Sequence, residues 1–127
     1  MKIQESAEDY LEAILVIQQK KGLVHSIDVA RYLEFSKPSV SRAVKLLRED
    51  GDLTVNADGS LELTEKGREI AERIYERHRL LTLWFTELGV SKEQAAKDAC
   101  KVEHDISAET FQKLKEHFRA VCPQENA

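Results

Sequence analysis

Apolar residues recur at helical spacing along most of the chain, with one short stretch where the period drops to two. From Ser6 to about Lys21, Tyr10, Leu11, Ile14, Leu15 and Ile17 form one apolar face, Ser6 can cap the segment and Gly22 stops it. Ser26 is placed to cap a second helix, Ile27 to about Glu34, with Val29, Ala30 and Leu33 facing inward. A third opens at Ser36 and Pro38, where the missing proline N–H costs nothing, buries Val40, Ala43, Val44 and Leu47, and ends at Gly51. Two short helices joined by a tight turn predict a helix-turn-helix.

Leu53 and Val55, then Leu61 and Leu63, alternate with polar residues around Asp58-Gly59, which predicts a β-hairpin, or wing. Thr64 and Glu65 begin a long helix expected to reach Leu88 before Gly89, with Ile70, Ile74, Leu81, Trp84 and Leu88 as its buried stripe. Ser91 caps another helix to about His104, and Ser107 a last one to about Val121, ended by Pro123. The expected fold is mainly α. A winged helix-turn-helix over residues 1–63 is joined by the long helix, as a rigid connector, to an all-helical half over 64–122.

A length of 127 residues, 42% hydrophobic and 33% charged, suits one compact domain or two small ones and excludes a large multidomain enzyme. The longest apolar run, Ala13 to Ile17, is far short of the roughly 20 residues that cross a bilayer, and the start Glu5, Glu8, Asp9 is unlike a secretory signal. A soluble cytoplasmic protein without membrane association is therefore expected, with Cys100 and Cys122 kept reduced.

A net charge of −4 by itself argues against a nucleic-acid partner, yet Ser36 to Arg48 carries Lys37, Arg42, Lys45 and Arg48 and no acid. Spacing of three sets Ser39, Arg42 and Lys45 on one face, opposite the apolar stripe. In a helix-turn-helix the outward residues near the start of the second helix reach base edges, which assigns Ser39, Ser41 and Arg42 to bases and Lys37 and Arg48 to phosphate. Charge alone leaves a merely solvated face equally open. The ordered combination of helix, turn, Ser-Lys-Pro-Ser helix start, cationic face and hairpin favours DNA. The wing tip, Asn56 to Ser60, has no cation and is assigned a minor part.

Potential metal ligands also fall where the helical period asks for apolar residues. His78 lies four after Ile74 and three before Leu81, and Cys100 with Glu103 and His104 shares one helical face. Asp9 and Glu12 are three apart on the first helix. A divalent transition metal would unite these oxygen, nitrogen and sulfur donors from three helices. The residues equally admit other readings: Asp9 in a capping box with Ser6, Glu12 solvated, His78 a core histidine and Cys100 an inert thiol. Cys122, His25 and His117 have no comparable neighbours in sequence and read as structural or surface residues.

Ser6-x-x-Asp9-Tyr10-Leu11-Glu12-x-Ile14, Pro38-Ser39-Val40-Ser41, Leu63-Thr64-x-x-Gly67, Arg77-His78-Arg79-Leu80 and Cys100-x-x-Glu103-His104-x-x-Ser107, in that order, resemble the metal-dependent repressor family over about residues 5–118. The family includes the diphtheria toxin repressor and the manganese transport regulator. The resemblance implies a homodimer, joined and metal-loaded through its helical half, that binds palindromic operators with iron(II) or manganese(II). It implies a manganese-type binuclear site of Asp9, Glu12, His78, Glu103 and His104, with Cys100 where that type has glutamate. Iron-type members have the cysteine but methionine in place of Asp9, and Thr82 and Ala96 replace the glutamate and histidine of their ancillary site. The ligand set is thus a hybrid: thiolate shifts preference toward iron(II), cobalt(II) or zinc(II), the last two in vitro, while Asp9 is a hard donor suited to manganese(II). The short manganese-type architecture, without an SH3-like C-terminal domain, is the closer parallel.

Two other classes compete. A metal-dependent hydrolase needs a substrate pocket and an open coordination position, and no phosphate loop or nucleophile motif accompanies the carboxylates. A metal-independent or thiol-based winged-helix sensor would act through Cys100 alone.

Overall fold

The computed structural model describes residues 3–121, with side chains described over 6–120. The elements are α1 (Ile3–Lys21), α2 (Ser26–Leu33), α3 (Lys37–Glu49), β1 (Leu53–Val55), β2 (Leu61–Leu63), α4 (Glu65–Glu87), α5 (Lys92–Val102) and α6 (Ala108–Val121). The mainly helical fold with a single hairpin agrees with the expected class. Cys122 and the Pro123 stop lie outside the described residues. The chain divides into two compact units, residues 1–73 and 74–127, with the division falling inside α4.

In the first unit Leu11, Ile14 and Leu15 of α1, Val29 and Ala30 of α2, Val40 and Leu47 of α3, and Leu53, Leu61 and Leu63 of the hairpin are buried, as their periodicity predicts. The helix ends differ from expectation. α1 begins at Ile3, so Ser6 lies inside it and is not its cap, because Gln4 and Glu5 are good helix formers. α2 begins at Ser26 and is capped by His25, whose backbone N–H donates to the Asp28 carboxylate at 2.9 Å. Ser36 caps α3 as expected, accepting from the Ser39 N–H at 3.3 Å. The strands pair antiparallel with Leu53 opposite Leu63 and Val55 opposite Leu61. Asp58 accepts from the Ser60 N–H at 2.9 Å and Gly59 takes φ +86°, the left-handed value the turn requires.

The hairpin root is fastened to the start of α4. Thr64 caps α4 by accepting from the Gly67 N–H at 3.1 Å, and its hydroxyl donates to the Gly51 carbonyl at 2.7 Å. The Thr64 N–H donates to the Asp52 carbonyl at 3.1 Å. Gly67 faces that same carbonyl so closely that a Cβ would stand 1.9 Å from its oxygen. This is the physical reason for glycine in the Leu-Thr-x-x-Gly motif.

In the second unit Ile74 and Leu81 of α4, Ala95 and Ala99 of α5, and Phe111 and Phe118 of α6 form the core. Leu88, expected in the buried stripe, is 69% exposed because α4 has already ended at Glu87. α5 is capped by Ser91 as predicted but stops at Val102, so Glu103 and His104 sit in the turn that follows it.

Candidate functional site

The cationic face of α3 survives folding. Lys37, Ser41, Arg42, Lys45 and Arg48 are exposed, and Ser39 is half-buried in the first turn. Ser39 accepts from the Ser36 hydroxyl at 2.9 Å and from Arg42 Nη2 at 3.4 Å, so two proposed base readers are already linked. No acid lies in the first turn of α3. The wing tip is different: the Ser60 hydroxyl and N–H both donate to the Asp58 carboxylate, holding its pKa below the usual range and keeping the tip anionic.

α1 and α3 meet within this unit around Tyr10. Its ring packs edge-on against Phe35 with centroids 5.8 Å apart. Burial raises the phenol pKa; the nearby Arg42 charge lowers it and Asp9 raises it. The helix that carries Asp9 and Glu12 thus lies within electrostatic reach of Arg42 on the exposed face of α3. Both carboxylates are half-buried on α1, and both take part in interactions.

In the second unit two imidazoles and a thiol gather around one carboxylate. Glu103 is fully buried, at 0% exposure. Its Oε1 stands 2.8 Å from His78 Nδ1, and its Oε2 stands 3.8 Å from His104 Nε2. Donor atoms of Cys100, Glu103 and His104 all lie within 4.8 Å of one another. Cys100 itself is exposed, so the group has a solvent-facing side.

Glu103 Oε2 accepts no hydrogen bond among the described residues. An ionised carboxylate in that position costs several kcal/mol unless a positive charge compensates it. Two donors about 2.0–2.3 Å from a tetrahedral ion stand roughly 3.3–3.8 Å apart. The distances about Glu103, 2.8 Å to His78 and 3.8 Å to His104, bracket that spacing. Its members are imidazole, carboxylate and thiol, all ligands of divalent transition metals. The residues therefore fit such an ion, which would replace the His78–Glu103 contact.

Sequence reasoning missed one participant. Arg77 is only 7% exposed, and its Nη1 donates to the backbone carbonyls of Glu103 at 3.0 Å and Ile106 at 2.9 Å. The signal was present: three after Ile74 and four before Leu81, position 77 continues the apolar stripe more regularly than 78 does.

Comparison with known proteins gives matches in both halves. Residues 2–61 match the family described as "Iron dependent repressor, N-terminal DNA binding domain", and residues 64–126 match "Iron dependent repressor, metal binding and dimerisation domain". The chain is similar to the HTH-type transcriptional regulator MntR of Geobacillus kaustophilus, 36% identical over 102 residues, covering 80% of this chain and 72% of that protein. Among solved structures, IdeR of T. acidophilum aligns with a TM-score of 0.76 and 28% identity, covering 87% of this chain and 53% of that one. A manganese-dependent transcriptional repressor in complex with manganese aligns with a TM-score of 0.79 and 27% identity, covering 87% and 51%. The chain spans about half the length of these solved relatives.

Proposed function

The chain belongs to the iron-dependent repressor family of transcriptional regulators, and on that premise we propose that it represses transcription by binding operator DNA when loaded with manganese(II) or iron(II). The observation that carries this reading is Glu103, a fully buried carboxylate with one oxygen lacking a hydrogen bond and with two imidazoles and a thiol beside it. The proposed ligands are Asp9 and Glu12 of α1, His78 of α4, and Cys100, Glu103 and His104 at the end of α5. Manganese in a related repressor supports manganese(II), while the Cys100 thiol favours iron(II), with zinc(II) and cobalt(II) able to bind in vitro.

The protein is proposed to act in the cytoplasm as a homodimer on a palindromic operator. Ser39, Ser41 and Arg42 face bases, with Lys45 on the same helical face; Lys37 and Arg48 face phosphates. A two-fold dimer must present its α3 helices about 34 Å apart to enter successive major grooves. Ligands drawn from α1 on one side and from α4 and α5 on the other restrict that spacing once a metal is bound. Tyr10 of α1 packs against Phe35 in the turn that leads into α3, and the Arg42 charge of α3 reaches its phenol. By linkage, DNA and metal then strengthen each other's binding by the same factor.

The test is anaerobic. A duplex selected from a randomised pool with the manganese(II)-loaded protein is titrated with manganese(II)-loaded, iron(II)-loaded, zinc(II)-loaded and chelator-treated protein, and metal stoichiometry is measured in parallel. Affinity at least tenfold higher with metal is expected; equal affinity in all four states overturns the proposal. Among the described residues no helix is long and apolar enough to cross a membrane.

A further inference from the structure

Arg77 is a guanidinium that cannot lose its proton, and burial of such a group is costly unless its donors are satisfied. Its Nη1 donates to the carbonyls of Glu103 and Ile106, and its Cζ lies 5.3 Å from the centroid of the Phe111 ring. Those two carbonyls bracket the turn between α5 and α6, where helix ends leave backbone acceptors without helical partners. The first belongs to the buried carboxylate itself. Arg77 also immediately precedes His78, so one stretch of α4 delivers both an imidazole to the Glu103 side chain and a cation to the Glu103 backbone.

From this we infer that Arg77 is a positioning residue for the metal centre. It holds the Glu103–His104 turn at the distance from His78 that joint coordination requires, before any ion arrives. The inference rests on the proposed role of these residues as metal ligands. It differs from a purely structural role in one respect. A structural plug affects how readily the chain unfolds, whereas a positioning residue also sets the affinity and ligand geometry of the folded chain. Groups that orient metal ligands from behind typically contribute about 10–100-fold in affinity.

The experiment uses the full chain and its Arg77→Met and Arg77→Lys variants, at a temperature where circular dichroism shows the parent folded. Cobalt(II) is the probe, titrated anaerobically against a competing chelator, with the thiolate charge-transfer and ligand-field bands recorded. Amide hydrogen exchange over residues 103–107 is measured on the metal-free proteins. The expected results for Arg77→Met are a cobalt(II) affinity about 10–100-fold lower, shifted ligand-field bands and faster exchange in the turn. Arg77→Lys keeps the charge and one donor group and recovers part of the loss. A folded Arg77→Met chain with affinity within twofold of the parent and an unchanged spectrum overturns the inference. If Arg77→Met does not fold, Arg77→Lys decides: affinity at least threefold lower with faster exchange supports the inference, and parent-like affinity overturns it. A parent chain that binds no cobalt(II) overturns the metal reading, and this inference with it. Tight binding by the parent and equal binding by the variant overturn the inference alone.

Discussion

Substituting Gly67 by alanine sets two known effects against each other. Alanine is a better helix former than glycine by up to about 1 kcal/mol in a helix interior, and Gly67 lies in the first turn of α4. On propensity alone the variant is more stable. The new Cβ, however, would lie 1.9 Å from the Asp52 carbonyl oxygen and 2.9 Å from its carbon. Both neighbours are backbone, so no side chain can swing aside. To reach ordinary contact the hairpin root and the start of α4 must separate by more than 1 Å, roughly. That movement strains the Thr64 N–H bond to the Asp52 carbonyl and the Thr64 hydroxyl bond to Gly51.

Overpacking of this kind costs about 1–3 kcal/mol, and a lost hydrogen bond adds about 0.5–1.5 kcal/mol. These exceed the propensity gain, so a net destabilisation of about 1–3 kcal/mol is expected. With a urea m-value of about 2 kcal/mol/M, the midpoint falls by roughly 0.5–1.5 M. The assay is equilibrium urea unfolding of the metal-free chain followed by circular dichroism, with hydrogen exchange at residues 52–64 locating the loosened segment. A Gly67→Ala chain as stable as the parent, or more stable, refutes the close-approach argument.

Further predictions concern the interface, the ligands and pH. Arg42→Ala is expected to weaken binding to a selected duplex by about 1–3 kcal/mol and relax base preference, whereas Lys37→Ala weakens all sequences alike and lowers the salt slope by about one; the reverse pattern in fluorescence anisotropy would reject the assignment of α3. Asp9→Ala and Cys100→Ser should each abolish the metal-dependent gain in DNA affinity; loss with Cys100→Ser alone would instead favour a thiol-based sensor. The Lys21 ammonium and the His25 N–H hold the Asp28 carboxyl below its ordinary range. Its stabilising contribution is therefore present above about pH 4 and lost as pH falls through the lowered folded value. The difference in urea midpoint between the parent and Asp28→Asn should be nearly constant from about pH 7 to pH 5 and shrink below about pH 4; a difference that grows on acidification contradicts the sign.

The element order was legible from local information. Apolar spacing marks the six helices, and Asp58-Gly59 with its alternating flanks marks the hairpin, because one buried face needs a repeating pattern. The cationic face of α3 was equally legible, since the period that buries Val40 and Leu47 turns Arg42 and Lys45 outward. Helix ends were less so. His25 rather than Ser26 caps α2 because Asp28 reaches back to its N–H, and α5 stops short of Glu103. Such ends depend on hydrogen bonds between particular neighbours, which several residues in a row can offer.

The amino-acid order alone determined which residue types share a face: His78 in an apolar stripe, and Cys100, Glu103 and His104 within one turn of each other. Tertiary structure decided what those faces meet. It buried the Glu103 carboxylate completely, set His78 against it, left one of its oxygens without a hydrogen bond, and made Arg77 the support of the turn behind it. Periodicity records where a side chain points along its own helix. Desolvation, and the groups that compensate it, depend on which other helix lies opposite.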